Sequence, residues 1–181
     1  MGKKHYSYRG AVIACCLVMG CGNPSMEEAQ AYHDLIKDKH AVLGYALITH
    51  GQLLERHAID SKAIDTDAFK AREDVLYDYL EALGSVEELK GLVLPSESLM
   101  PLHESLVESV HYLKESVRVV DEGAYTMRAS FDAEILWEES RTAYLDFTGR
   151  ILSLTGREED VLAPVDRTPP EAGKVFIPSS P

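Results

Sequence analysis

The side chains with the most chemical capability in this 181-residue chain are its seven histidines, three cysteines and a surplus of carboxylates. His50 and His57 are seven residues apart, which on a helix puts them on one face about 10 Å from each other. Tyr32, Leu43 and Leu54 share that face. Two rings so separated do not grip one ion, so a metal or non-covalent haem site needs ligands from elsewhere. His103 is the evident third ligand, with Met100 near it in sequence. The alternative for each imidazole is a hydrogen bond to a carboxylate at the edge of the core. Glu108 and His111 have the Glu-x-x-His spacing of carboxylate-bridged metal pairs, but such a site needs two copies and the chain shows one. Measured from Leu106, they project at about 200° and 140°, away from the apolar side of their helix. The acidic pairs Glu73-Asp74, Glu87-Glu88 and Glu138-Glu139 are adjacent, so a helix sends their side chains in different directions, as on a solvated face. Covalent haem, phosphate-loop, serine-elbow and zinc-peptidase motifs are missing. The sequence therefore assigns no catalytic residue and implies no cofactor, and the expectation is that the chain is not an enzyme.

Cys21 offers a different chemistry. Residues 1–10 carry Lys3, Lys4 and Arg9 with no acid, and Ala11 to Met19 form an uncharged apolar run ending at Gly20-Cys21. A basic start, a short apolar run and a small residue are the parts of an export signal. The run is about half the length of a helix that spans a bilayer. Val18-Met19-Gly20-Cys21 resembles the lipobox of bacterial lipoprotein precursors. The resemblance covers residues 1–21 and implies cleavage between Gly20 and Cys21, a diacylglyceryl group on the Cys21 sulfur and a fatty acyl group such as palmitate on its amine. Val12-Ile13-Ala14-Cys15 also fits, but leaves too short an apolar run before the cut. Two or three acyl chains make a durable anchor where one is marginal. Gly22 follows the cysteine, which by the same resemblance favours the periplasmic face of the outer membrane in a two-membrane host. In a one-membrane host the expected place is the outer leaflet of the cell membrane.

Cleavage removes three of the 18 basic residues and none of the 30 acidic ones, leaving a formal charge of −15. Such a surface excludes nucleic acid as a partner and opposes an electrostatic grip on anionic lipid. Cys15 and Cys16 leave with the signal, so with Cys21 acylated the mature chain has no thiol for a disulfide. The expected partners are the membrane, through the lipid, and another envelope protein. A metal- or haem-binding carrier built on His50, His57 and His103 is the alternative.

The elements that must position these residues follow from spacing and caps. Ser25-Met26-Glu27-Glu28 is a capping box. One long first helix is expected from there to about Ile59, the alternative being that Gly51 breaks the segment into two helices. Gly44, Gly51 and Ala58 recur every seven residues along it, a small-residue stripe that would let a neighbouring helix come close. A polar turn from Asp60 to Asp67 precedes a second helix with Phe69, Leu76, Leu80 and Leu83 inward. Gly84 and a second capping box at Ser85 introduce a short helix near Leu89 that Pro95 stops. Leu99, Leu102, Leu106, Val110, Leu113, Val117 and Val120 then mark a near-heptad helix ended by Gly123. A last helix is expected from about Ser130 to Thr155, with Leu136, Ala143, Phe147, Ile151 and Leu154 inward and Gly156 at its end. The expected fold class is all-α, an antiparallel four-helix bundle over 25–157. It follows a signal at 1–20 and a tether at 21–24, and it precedes a proline-rich, extended or disordered tail over 158–181. In that tail Val175, Phe176 and Ile177 gather apolar surface between Lys174 and Pro178. That cluster is able either to fold back on the domain or to add as a strand to a partner.

Overall fold

The computed structural model describes residues 23–156, so the expectations for Cys21, the cut site and the tail lie outside the described residues. Within that range the protein is all-helical, with four long helices and no strand. Helix α1 spans Met26–Ile59, α2 Asp67–Leu83, the short α3 Val86–Lys90, α4 Met100–Glu122 and α5 Met127–Thr155. Single 3₁₀ turns at Ala63–Asp65 and Glu97–Leu99 precede α2 and α4.

Local signals set the ends of these helices. Both capping boxes form: Ser25 accepts from Glu28 N–H while Glu28 accepts from Ser25 N–H, and Ser85 with Glu88 repeats the arrangement. The Ser25 hydrogen bonds hold the Glu28 carboxyl below its ordinary range. Helix α1 runs unbroken through Gly51. Helix α3 closes at Gly91, before Pro95 is reached, because its fifth residue already leads into a turn. The free carbonyls at the end of α2 are taken by two lysines: Lys39 of α1 donates to Ala82 and Leu83, and Lys114 of α4 donates to Leu80. Cations there also complement the negative end of the helix.

The α4 stripe is inward as its spacing requires, with Leu99 through Val120 all buried and Glu108 and His111 exposed. The α5 expectation is corrected. Phe147 and Ile151 are buried, but Leu136, Ala143 and Leu154 are only half-buried. The inward line is Ala129, Ala133, Ser140, Tyr144, Phe147, Thr148, Ile151 and Thr155. Small and hydroxylated side chains face in because α4 lies very close there. Ser109 and Ser140 each donate to the other's backbone carbonyl, at 2.9 and 2.6 Å, and seven residues along α4 Ser116 donates to Ala133 O at 2.6 Å. At the turn joining the two helices a Cβ on Gly123 would stand 2.3 Å from Ala129 Cβ, so only glycine admits the approach. Ala124 and Tyr125, not Gly123, take the left-handed conformation of that turn.

Cross-helix hydrogen bonds run in a consistent order along three of the helix pairs. Along α1 and α5 they run in opposite order: His40 with Thr148, Leu47 with Trp137, His57 with Ser130. The α4–α5 serine contacts also run in opposite order. On α1 and α4 the order is the same, Tyr32 with His103 and His50 with Ser116. Among the described residues no helix is long and apolar enough to cross a membrane.

Candidate functional site

Among the described residues four histidines are buried, and each is tied to another helix through a hydroxyl. His40 Nε2 meets Thr148 Oγ1 at 3.0 Å, His50 Nε2 meets Ser116 Oγ at 2.7 Å, His57 Nδ1 meets Ser130 Oγ at 3.0 Å, and His103 Nδ1 meets the Tyr32 hydroxyl at 3.0 Å. The partners are therefore hydroxyls within the core, where the sequence pointed to carboxylates at its edge. Tyrosine and phenylalanine rings flank three of these rings: His40 stacks on Tyr144 and meets Phe147 edge-on, His57 is tilted against Tyr125, and His103 meets Tyr32 edge-on.

Donor counting fixes the direction of two of these ties. A carbonyl only accepts, so the single Ser116 proton goes to Ala133 O, and His50 must donate its Nε2–H to Ser116. The result is one relay through α1, α4 and α5. Its cost is His50 Nδ1, buried without a hydrogen-bond partner. Likewise His103 donates from Nε2 to Leu89 O at 2.8 Å and accepts from Tyr32, joining α3, α4 and α1. Burial pushes His50 down to about 3, and burial with the nearby His33 pushes His40 down to about 4.

This geometry does not bring the proposed metal ligands together. His103 touches Tyr32, which precedes His50 by eighteen residues, or about 27 Å of helix. His57 lies about 10 Å further on. Among the described residues no group of three or more His, Cys, Asp or Glu is placed to hold an ion.

Trp137 and Tyr144, aromatic residues whose helical spacing reads as core rather than as a ligand pocket, line a groove of about 960 Å³ between the last half of α1 and the first half of α5. Its walls include Leu47, Leu54, Ala58, Tyr125, Phe131 and Trp137. Gly51 and Ala58, expected to seat a neighbouring helix, serve it differently. At Gly51 the Trp137 ring fills the space: a Cβ there would be 2.5 Å from Trp137 Cζ2. At Ala58 the small side chain is exposed and lines the groove. The serine seam holds α5 against α4, and beyond Trp137 the space between α1 and α5 stays open. Large apolar groups consequently face solvent: Ile59 is 80% exposed, Met127 88% and Phe131 62%. Three such residues lining one groove form a patch of the kind that marks a binding surface. The signal available in sequence was Met127, Phe131 and Ile135, an apolar series at i, i+4 and i+8 on the face opposite the buried line.

No family model, curated protein or solved structure matches this chain.

Proposed function

We propose that the chain is a lipoprotein precursor whose mature form is a non-enzymatic binding module held on an envelope membrane through lipidated Cys21. In this reading the signal is cut at the Gly20–Cys21 bond, and the mature domain is an antiparallel four-helix bundle. The opposed contact orders of α1 with α5 and of α4 with α5, and the common order of α1 and α4, support that arrangement. The observation that carries the binding role is the apolar groove with Ile59, Met127 and Phe131 exposed along it.

The anchor and the groove fall at opposite ends of α1. Three residues separate Cys21 from the helix cap at Ser25, an extended reach of about 10–15 Å. Helix α1 then carries the chain about 50 Å along its axis, and the groove opens on its second half. A short tether with a distal groove suits a fixed post that presents an apolar surface away from the headgroups to another envelope protein. Retention at the outer membrane follows from Gly22 in a two-membrane host, and at the outer leaflet of the cell membrane otherwise.

The test is a pull-down from solubilised envelopes with the parent chain, Phe131→Asp and Cys21→Ser. Phe131→Asp is expected to keep the parent's helical signal and melting behaviour while losing the captured protein. Cys21→Ser is expected to remain unprocessed and unlabelled by fatty acid. Equal capture by Phe131→Asp would remove the groove from the account.

A further inference from the structure

The groove has a candidate occupant within the same chain. We propose that the segment Lys174–Pro178 docks in the α1–α5 groove and covers Phe131 and Trp137. The proposal rests on reading the groove as a binding surface, and it names what fills that surface when no partner is present.

Reach permits it. The described chain ends at Gly156, just past α5, and Phe131 lies 24 residues back along that helix, about 36 Å away. Eighteen residues, 157–174, lie between Gly156 and Val175. At about 3.1 Å per extended residue they span about 60 Å, so the segment reaches the groove with slack. Composition points the same way. Val175, Phe176 and Ile177 stand together beyond Val165 in a stretch that is otherwise polar, proline-rich or small. The groove offers an apolar wall to them and two carboxylates, Glu55 and Glu134, to Lys174.

Tethering supplies the remaining argument. A segment joined to the domain by a chain of this length meets the groove at an effective concentration in the millimolar range. At that concentration an intrinsic dissociation constant of only about 0.1 mM gives about 90% occupancy. A free partner must displace the segment, so the tail sets a threshold on capture.

Trp137 is the chain's single tryptophan and lines the groove, so its emission reports cover directly. The experiment compares acrylamide quenching and emission maximum in the purified full chain for the parent, Phe176→Ser, Phe131→Ser and the double variant. Phe176→Ser is expected to red-shift the emission and roughly double the quenching constant, as a mostly occupied groove opens. Phe131→Ser should do the same, and the double variant should add nothing further. Unchanged Trp137 emission in Phe176→Ser overturns the proposal. So does a signal that depends on protein concentration, which assigns the groove to a second copy. A shift produced only by phosphatidylethanolamine–phosphatidylglycerol vesicles assigns it to lipid and overturns the proposal as well. Envelope capture separates this proposal from the groove reading: Phe176→Ser should capture more partner and Phe131→Asp none. Loss of capture in Phe131→Asp with no Trp137 change in Phe176→Ser would sink the tail proposal and leave the groove standing.

Discussion

Trp137 occupies the place where a side chain at Gly51 would be: a Cβ on Gly51 falls 2.5 Å from Trp137 Cζ2, and the indole N–H donates to Leu47 O at 2.8 Å. That carbonyl lies one helical turn before Gly51, so α1 stays regular while lending an acceptor to α5. Gly51 is in a helix interior, where alanine would ordinarily gain about 1 kcal/mol. Gly51→Ala is expected to destabilise instead by about 1–2 kcal/mol, because displacing a wedged indole outweighs that gain. Gly149, in the interior of α5, has nothing within 4 Å of an added Cβ. Gly149→Ala is therefore expected to stabilise by about 0.5–1 kcal/mol. Urea unfolding of both variants checks the opposite signs.

The buried stripe of α4 makes a second ranking. Val110→Asp places a charge with no partner among Leu106, Leu113 and the facing helices, and is expected to cost several kcal/mol or prevent folding. Glu108→Ala and His111→Ala lie on the exposed side and are expected to change stability by less than about 0.5 kcal/mol. Thermal unfolding of the three variants settles the ranking.

Much of this is legible in the sequence, and the exceptions share a cause. Caps at Ser25 and Ser85 and the α4 stripe depend on nearby residues and large apolar side chains, so spacing alone finds them. On α5 apolar spacing finds Phe147 and Ile151 but not the rest of the interior, because Ala133, Ser140 and Thr148 face inward while Met127, Phe131 and Ile135 face out. Hydrophobicity ranks those two sets in the reverse order. The inward set is chosen by closeness to α4, which only small or hydrogen-bonding side chains allow. The seven-residue steps Ser109–Ser116 and Ala133–Ser140 were the usable signal. The histidine ties escaped for a related reason: a serine or threonine hydroxyl on another helix leaves no mark in the local sequence. The groove escaped because it is made of what two helices leave unfilled.

Acid stability follows from the buried imidazoles. His40 and His50 are held down to about 4 and about 3 in the folded chain, against about 6.5 when unfolded. Below about pH 6.5 the unfolded chain therefore binds more protons than the folded one. Stability is fully present above that pH and is lost as pH falls, through His40 until about pH 4 and through His50 until about pH 3. Each ring contributes a slope of about 1.4 kcal/mol per pH unit, so the pair removes about 4 kcal/mol by pH 5. His50→Gln keeps a donor for Ser116 and loses the titration, and is expected to halve the slope between pH 6 and pH 5. Chemical denaturation at several pH values measures it, and an unchanged slope would mean that His50 does not carry the charge penalty.

The central claim is that this helical domain reaches its place of work through Cys21. Its most direct test is the intact mass, with N-terminal fragment analysis, of protein recovered from the membranes of its own host or of a bacterial expression host. The account predicts that residues 1–20 are absent, that the chain begins at Cys21, and that Cys21 carries a diacylglyceryl group with or without an N-acyl chain. A chain recovered with residues 1–20 still attached, or beginning at an unmodified Cys21, would contradict it.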